Sequence, residues 1–464
     1  MRPTGKRVML VAPPGRCTTG GSFHAVPPEG VARLSAWLRK HGFEVAALDT
    51  LIEGYDLRLV EGKTVRYGIT ADQAAAMIAE WSPDVIGFSC PFTCTEADVI
   101  QIARACRSLL PDAWIVLGGA HAAANAAALL KNEPVVDLVA LSEGEQALAS
   151  LVSSIRGGGN PTEVDGFASR KGDGSIQKRP LKQFLDLDRL PLPAWDLFPI
   201  AAYAKANSPH FGMGQGRRYL PTTWSRGCVN ACSYCLTPRF WGRGNYRKRS
   251  IARILDEARS LHEKFEIEEL HVEDDCLLAN KAWFHAILES MAQENPGLRL
   301  DFPNGLDVTD LDGLTADKLA RAGTIRAGLA FDAGEPAKPL KWVGKQIPLK
   351  QGREAVNMLH AGGITLIGYF MLGFPGQTID DMRATVDYAL SLDLDALSLF
   401  IATPFPQTPL HTYCERAGLL VRPYDYEDFR FSSGHIRTSE FGPADTERLR
   451  HEGWLKFQNR RRDL

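Results

Sequence analysis

Several features that would assign a protein to a broad class are missing from this 464-residue sequence. It has no apolar run near the roughly 18 residues that a membrane-spanning helix needs. Its formal charge of -2 gives no general attraction to nucleic acids or membrane surfaces. The apolar run Val8–Ala12 is too short for the core of a signal peptide and fits a strand instead. We therefore expect neither a membrane nor a nucleic-acid partner.

Cysteine usage gives no sign of a disulfide framework, because the nine cysteines are odd in number and six of them are scattered. Among the scattered ones, Cys276 and Cys414 are expected to be buried thiols. The other three, Cys228, Cys232 and Cys235, have CxxxCxxC spacing on a glycine-led loop. Zinc would need a fourth ligand, and no second cysteine pair exists. Three thiolates can hold three irons of a 4Fe–4S cluster and leave one iron open. Such a cluster is oxygen-sensitive, so we predict a reducing, cytoplasmic location.

The first third of the chain alternates short apolar strands with amphipathic helices. The helices are expected near residues 29–41, 71–81, 95–110, 122–131 and 143–155. The predicted strands are Arg7–Ala12, Glu44–Leu48, Val85–Ser89, Trp114–Leu117 and Val135–Ala140. This alternation predicts a parallel, flavodoxin-like sheet of the Rossmann type, in a domain that covers residues 1–156. Ligands of such sheets bind at the carboxyl ends of the strands.

A glycine-rich break ends this domain and begins a linker that we place at residues 157–215, with a small hairpin at 162–180. Six further strand–helix units occupy residues 216–415, and a short helical segment fills residues 416–464. The predicted strands lie near residues 221–226, 268–273, 298–303, 325–331, 365–371 and 394–401. This series predicts an α/β fold of the open (βα)6 partial-barrel type, with the carboxyl ends of all strands on one face.

The cysteine spacing, with the aromatic Tyr234 directly before Cys235, resembles that of the radical S-adenosylmethionine (SAM) enzymes. The resemblance implies that the open iron binds the amino and carboxylate groups of SAM. It also implies that an electron from the cluster cleaves the sulfonium of SAM. Tyr234 would then pack against SAM, and filling the hydrophobic core is its alternative role.

Other residues that the resemblance assigns to the SAM site follow later strands of the partial barrel. Glu273 and Asp275 end the second strand, where carboxylates would receive the SAM amine or ribose. Capping of the next helix by Asp275 is the alternative. Asp332 ends the fourth strand, where related enzymes place a longer glutamate that contacts SAM. Gly373 and Pro375 resemble the turn of this family that lies beside the adenine.

Loops of the first domain resemble those of the cobalamin-binding domain that precedes many radical SAM domains. Ser89 matches the serine after the third strand. Gly118 and Gly119 match paired glycines that make room for the nucleotide tail of cobalamin. Glu143 belongs to an acidic-Gly-acidic turn that opens the last helix. These matches imply a cobalamin-binding domain in front of a radical SAM domain, the arrangement of the cobalamin-dependent radical SAM enzymes.

One cobalamin motif is missing from the first domain. Proteins that bind cobalt through a histidine carry Asp-x-His-x-x-Gly after the first strand. This chain has His24 in that loop, without the aspartate or the glycine at the required spacing. We therefore expect base-off cobalamin with no histidine as lower ligand. His121 has two open roles, which are contact with the corrin or its tail and a hydrogen bond to the backbone.

The resemblance implies a C-methyltransferase that moves a methyl group from methylcobalamin to an unactivated carbon of a small molecule. A 5′-deoxyadenosyl radical would first remove a hydrogen from that carbon, and an external flavodoxin or ferredoxin would supply electrons. The alternative is a non-methylating member of the family that catalyses a cyclisation, a ring contraction or another rearrangement. A methylthiotransferase acting on tRNA would need a second cysteine triad, which the sequence lacks. A non-catalytic sensor would have no need of the complete six-unit barrel.

An insert after the second strand gives a hint about the substrate. Its residues 53–55, Glu-Gly-Tyr, and 66–68, Arg-Tyr-Gly, resemble the phosphonate C-methylases of the fosfomycin pathway. A run of basic residues at 239–249 fits the same kind of ligand. Together they suggest a natural-product type substrate that bears a phosphonate or phosphate group.

Overall fold

The computed structural model describes residues 5–210, 216–294, 297–333, 340–344, 348–422 and 425–462. The chain divides into two compact units. The first comprises Met1–Pro221 together with Arg239–Trp241, and the second comprises Thr222–Pro238 and Gly242–Leu464.

The first unit is built on a mostly parallel sheet. Its strands are β1 Arg7–Ala12, β2 Gly15–Thr18, β3 Glu44–Asp49, β4 Arg58–Glu61, β5 Thr64–Tyr67, β6 Val85–Ser89, β7 Trp114–Gly118, β8 Leu138–Ala140, β9 Phe167–Arg170 and β10 Ile176–Arg179. Its helices are α1 Glu29–Lys40, α2 Ala71–Trp81, α3 Glu96–Leu109, α4 Ala120–Asn132, α5 Glu145–Arg156 and α6 Ile200–Ala206. The main sheet has the order β10-β9-β8-β7-β6-β1-β3. Its five parallel strands therefore follow the flavodoxin-like order 2-1-3-4-5, which confirms the predicted fold.

Hydrophobic burial explains why these strands form the centre of the first unit. In β1 all residues except Arg7 are buried, because a parallel sheet of this type carries helices on both faces. The helix ends are fixed locally, as in α2, where Thr70 and Gln73 form a capping box with each other's backbone N–H groups. The predicted hairpin is β9–β10, whose strand β9 pairs with the edge of the sheet at β8.

The insert after β3 contributes β4 and β5 to a separate three-stranded sheet with the order β2-β5-β4, in which β2 comes from the loop after β1. Buried charges hold it in place: Asp98 of α3 accepts hydrogen bonds from Arg16 Nε at 2.5 Å and Arg66 Nε at 3.0 Å. A second carboxylate, Glu61, lies 2.7 Å from Arg16 Nη1. Two guanidinium groups thus face two carboxylates, and removing one partner would leave an uncompensated buried charge.

The second unit is built on a parallel sheet whose strands lie side by side in the order in which they occur along the chain. Its strands are β11 Tyr219–Thr222, β12 Ser225–Arg226, β13 Arg247–Lys248, β14 Glu269–Val272, β15 Arg299–Asp307, β16 Thr324–Asp332, β17 Thr365–Leu372 and β18 Ala396–Ile401. The main sheet has the order β11-β14-β15-β16-β17-β18, with parallel pairing from β14 to β18. The boundary between the two units falls within β11. This is the predicted series of six strands, in which the first is split into β11 and β12.

Helices alternate with the strands of the second unit as predicted. They are α7 Thr237–Phe240, α8 Ile251–Phe265, α9 Lys281–Glu294, α10 Gly313–Arg321, α11 Leu340–Val343, α12 Leu349–Ala361, α13 Ile379–Ser391, α14 Pro409–Arg416 and α15 Pro443–Arg462. The last helix packs against β18 closely enough that a Cβ on Gly453 would lie 2.7 Å from Leu399 Cδ1. Of the helices in the described part of the chain, none is long and apolar enough to cross a membrane.

Candidate functional site

The loop with the three closely spaced cysteines begins where β12 ends. Its first residue, Gly227, has φ +97°, and a Cβ there would lie 1.9 Å from the carbonyl oxygen of Asn245. Only glycine fits this close approach without strain. The β12–β13 pairing therefore fixes the direction in which the loop leaves the sheet.

All three cysteines are half-buried free thiols. The sulfurs of Cys228 and Cys235 accept backbone N–H bonds from Asn230 and Thr237, both at 3.4 Å. Burial raises the pKa of the Cys235 thiol. No group of three or more His, Cys, Asp or Glu side chains in the described ranges could hold a single metal ion.

Three consecutive residues after β14 hold the cysteine loop. Asp274, which is buried, accepts hydrogen bonds from the backbone N–H groups of Trp224 at 2.9 Å and Ser225 at 2.5 Å. Asp275 accepts bonds from the N–H of Gly227 at 3.4 Å and the hydroxyl of Thr237 at 3.1 Å, at the two ends of the loop.

The third residue, Cys276, is half-buried, whereas the sequence predicted a buried thiol. Hydrogen bonding with Cys228 lowers the pKa of the Cys276 thiol and raises the pKa of the Cys228 thiol. Asp275 does not cap the short helix that follows, because Cys276 occupies the N-cap position and no side chain caps it. Glu273 is half-buried, and its carbonyl oxygen accepts a 2.6 Å bond from the Asn304 side chain.

A partly buried phenol–carboxylate pair joins the cysteine loop to the end of β16. The hydroxyl of Tyr234 donates to Asp332 Oδ1 at 2.9 Å. Burial, and then the Asp332 charge, raise the pKa of Tyr234 well above its ordinary value. Asp332 itself has φ +58° where the β16–β17 register shifts. Non-glycine residues in this left-handed region are strained, and such strain concentrates at functional sites.

The turn after β17 lies on the same side of the sheet. The Gln377 side chain accepts the N–H groups of Gly373 and Phe374 at 3.0 and 2.8 Å, and Gly373 has φ +87°. The ring of Phe374 lies 5.8 Å from that of Tyr234. Gly373 thus lies in a tight turn next to Tyr234, and the place of Gly373 and Pro375 beside the adenine of SAM stays a prediction.

Trp342 connects the turn to the loop, and sequence reasoning missed it. Its indole N–H donates to the carbonyl of Pro375 at 2.8 Å. Its own carbonyl accepts the N–H and the hydroxyl of Ser233, at 2.9 and 2.7 Å. No spacing or motif in the sequence signals this role, because part of it belongs to the backbone carbonyl, which every residue type has.

The predicted ligand edge of the first unit is partly occupied by the chain's own packing. Ser89 and Gly118 are register partners on β6 and β7. Gly119 has φ +106°, and a Cβ there would lie 2.7 Å from the carbonyl carbon of Cys90. A Cβ on Gly118 would meet only Ala140, at an ordinary 3.7 Å. Of the two glycines, Gly118 therefore has the room for a ligand, whereas Gly119 is required by the neighbouring loop.

The ring of His121 is fully buried among the protein's own side chains. Contact of His121 with the corrin or its tail stays a prediction. The ring Nδ1 lies 3.0 Å from the Thr93 hydroxyl and the ring Nε2 lies 2.6 Å from Glu96 Oε2, which also accepts from the Asn125 amide at 2.9 Å. Side chains, rather than backbone groups, thus bind both ring nitrogens and tie α4 to the loop after β6.

Glu143 and His24 likewise bond to the protein itself. Glu143 is buried and accepts the N–H of Leu185 at 2.6 Å. His24 Nδ1 lies 2.9 Å from the Pro209 carbonyl, and burial lowers the pKa of its ring. Both residues position segments around the carboxyl edge of the sheet.

Comparison with known proteins agrees with these two units. A family model described as the Radical SAM superfamily matches residues 222–389, and one described as the B12 binding domain matches residues 18–152. The chain is 27% identical over 445 residues to cytidylyl-2-hydroxyethylphosphonate methyltransferase of Streptomyces wedmorensis, covering 89% of this chain and 83% of that protein. It is 25% identical over 415 residues to anaerobic magnesium-protoporphyrin IX monomethyl ester cyclase of Rubrivivax gelatinosus, covering 87% and 69%.

Solved structures show the same fold. TsrM, a radical SAM methyltransferase from Kitasatospora setae with cobalamin and a 4Fe–4S cluster bound, aligns with a TM-score of 0.71 and 21% identity, over 97% of this chain and 82% of TsrM. The same enzyme with its tryptophan substrate and a SAM analogue bound aligns with a TM-score of 0.72 and 20% identity, over 96% and 83%.

Proposed function

Because this chain belongs to the cobalamin-dependent radical SAM enzymes, we propose that it is a C-methyltransferase that modifies an unactivated carbon of a small molecule. The observation that carries the proposal is the cysteine loop, which Asp274 and Asp275 hold through hydrogen bonds beside the end of β14. Rigid placement of a reactive group is what a radical enzyme must supply, since the cofactors carry the difficult chemistry.

In this proposal Cys228, Cys232 and Cys235 hold the cluster. When bound, the cluster supplies the electron that cleaves SAM, and cobalamin supplies the methyl group. Asp275 keeps the loop closed at both ends through Gly227 and Thr237. Tyr234 and Asp332 form the adjoining wall of the site, where Asp332 holds the phenol in one orientation.

For the first unit we propose base-off cobalamin at the carboxyl edge of the sheet, beside Ser89 and Gly118. Gly118 supports this because a Cβ there would meet no atom closer than 3.7 Å. The ring of His121 is fully buried, and His24 Nδ1 is bonded to Pro209, which supports the absence of a histidine ligand to cobalt.

For the substrate we propose a molecule that bears a phosphonate or phosphate group. The similarity to a phosphonate methyltransferase supports this proposal. The insert supports it less than its sequence suggested, because Arg66 is engaged by Asp98. Arg58 lies over aromatic rings of the insert and its neighbouring loop, 4.2 Å from the Phe23 centroid and 4.9 Å from that of Tyr55.

The test is anaerobic turnover with SAM whose methyl group is trideuterated, followed by mass spectrometry of candidate phosphonates. Methyl transfer predicts a product that contains the label. A product that lacks the label and has lost hydrogen would instead favour a cyclisation, a possibility raised by the similarity to the cyclase. Equal turnover of a substrate with and without its phosphoryl group would contradict the substrate proposal.

We further propose an external flavodoxin or ferredoxin as electron donor and a cytoplasmic location. All nine cysteines are free thiols, which supports a reducing compartment. Comparison of turnover with reduced flavodoxin and with a chemical reductant tests the donor, since a protein donor should sustain repeated turnovers.

A further inference from the structure

A phenylalanine in the loop after β6 is open to solvent. Phe92 is 63% exposed, and within the described ranges it is the only exposed Phe, Tyr or Trp of the first unit. Its neighbours are not exposed in the same way, since Cys90 is fully buried and Thr93 is 2% exposed. A large apolar ring in water gains free energy from any surface that covers it.

The backbone on both sides of Phe92 is held by hydrogen bonds. Before it, the carbonyl oxygen of Pro91 accepts the N–H of His121 at 3.3 Å. The carbonyl oxygen of Phe92 itself accepts the N–H and the hydroxyl of Thr95, at 3.2 and 3.0 Å. After it, the hydroxyl of Thr93 lies 3.0 Å from His121 Nδ1. The ring is therefore exposed although the loop that carries it is fixed.

This loop begins at the edge of the sheet where we place cobalamin. Ser89, the last residue of β6, is the register partner of Gly118, where a Cβ would meet no atom closer than 3.7 Å. Pro91 lies against the next glycine, since a Cβ on Gly119 would be 2.8 Å from the nitrogen of Pro91. Phe92 follows directly. The exposed ring is thus carried by the turn that borders the open position at Gly118.

A partner protein and the cofactor are the two candidates for covering this ring. A specific protein interface takes about 800 Å² from each partner. The other exposed large apolar side chains of the first unit, in the part that the structure describes, lie on different elements: Leu57, Leu59 and Val60 in and before β4, Met77 on α2 and Leu109 at the end of α3. A single ring offers too little surface for a protein, whereas cofactor sites are lined by individual apolar and aromatic side chains.

We propose that Phe92 packs against the corrin ring of cobalamin when the cofactor is bound at the carboxyl edge of the first unit. This inference deepens the proposed function and rests on it, because it requires cobalamin at this edge. A phenyl ring has no lone pair that could bind cobalt, so its contribution is apolar contact and the exclusion of water. Phe92 is thus a cofactor-binding residue that the sequence motifs do not include.

The experiment is an anaerobic titration of the full-length protein with two cofactors, followed by visible absorption. Hydroxocobalamin carries the nucleotide tail, and hydroxocobinamide has the same corrin without the nucleotide. Phe92→Ala removes the ring, and Phe92→Leu keeps an apolar side chain. The matched control is Leu109→Ala, which removes a 53% exposed apolar side chain at the far end of α3, the helix that follows the loop. The unfolding temperature of every variant is measured as well.

Phe92→Ala should raise the Kd about tenfold for cobalamin and cobinamide alike, because partial burial of the ring contributes a free energy of this order. Phe92→Leu should raise both constants about threefold, since it keeps part of the apolar surface. Leu109→Ala should bind both cofactors as the wild type does. All variants should unfold at the wild-type temperature, because both side chains are exposed.

Unchanged affinity of Phe92→Ala for both cofactors would overturn the assignment, and so would an equal loss in Leu109→Ala. A loss with cobalamin alone would overturn the corrin contact in favour of the nucleotide tail. A wild type that binds cobalamin but no cobinamide would also overturn it, since the corrin would then contribute little of the affinity. A wild type that binds neither cofactor would contradict the proposed function itself, which separates that failure from the others.

Discussion

The two units use their predicted site residues in different ways. In the second unit the predicted residues of the cysteine loop, β16 and the turn after β17 bond to one another or to shared neighbours such as Trp342. In the first unit Gly119, His121 and Glu143 are committed to the protein's own loops and helices. A motif defined by ligand chemistry therefore led to side chains that bond to one another, whereas a motif defined by backbone shape mostly led to residues that hold the protein's own loops.

The physical reason is the kind of constraint that each ligand imposes. An iron cluster needs thiolate ligands, and few other functions require three cysteines at this spacing. A large flat cofactor needs room, and glycines or buried polar residues can equally serve tight packing.

Replacing Gly227 with alanine should abolish cluster assembly. The new Cβ would lie 1.9 Å from the Asn245 carbonyl oxygen at φ +97°, so the loop must leave its position. Iron and sulfide content after reconstitution measures the effect. The control is Gly244→Ala, at φ +72° with no atom within 4 Å, which should still assemble the cluster. Equal cluster content in the two variants would contradict the account.

Gly119→Ala should destabilise the first unit by about 4 kcal/mol, from backbone strain and from overpacking against Cys90. Gly118→Ala should cost less than about 1 kcal/mol but weaken cobalamin binding, because this position has open space. Chemical unfolding and cobalamin titration of both variants separate the two effects. If Gly119→Ala is as stable as Gly118→Ala, Gly119 does not support the neighbouring loop, and the proposed difference between the two glycines is wrong.

The first unit should lose stability as pH rises through the pKa of Asp49. Burial raises the pKa of this carboxyl from 3.8 to about 6, against the opposing hydrogen bond from Tyr203. The folded state thus binds the proton more tightly than the unfolded state, and the stabilisation present below pH 3.8 is lost by about pH 6. The difference corresponds to about 3 kcal/mol.

Hydrogen exchange of β3 amides at several pH values measures this effect. Asp49→Asn should remove most of the dependence, since the amide does not titrate in this range. A constant difference between wild type and variant from pH 4 to 7 would be the contrary result.

Asp275→Ala should have the smallest effect, because this carboxylate is exposed to water. It loses the bonds to Gly227 and Thr237, worth about 1 kcal/mol in such a setting. We expect an about fivefold faster loss of iron to a chelator, a factor that follows from that energy. Asp256→Ala, on the exposed face of α8, is the control and should lose iron at the wild-type rate.

Sequence patterns predicted most of the fold, because buried strands and amphipathic helices have clear periodicities. The 2-1-3-4-5 sheet and the six-strand series are both as expected. The three cysteines could also be recognised from the sequence, because their spacing is a strong local pattern. The linker boundaries at residues 157 and 215 stay predictions.

What the sequence could not reveal are contacts between residues that are distant along the chain. Trp342 acts partly through its backbone carbonyl, which no residue type signals. Asp274 gave no motif of its own, since the backbone N–H groups of Trp224 and Ser225 meet it only after folding. The two ring nitrogens of His121 contact Thr93 and Glu96 because α4 packs on the loop after β6.

The most direct test of the central claim is the cofactor content of anaerobically reconstituted wild type and Cys232→Ala. The account predicts one 4Fe–4S cluster and one base-off cobalamin per wild-type chain, read from iron analysis and visible spectra. Cys232→Ala should lose the cluster and keep the cobalamin, because the two groups belong to different units. A wild-type protein that takes up the cluster but no cobalamin would contradict methyl transfer from cobalamin.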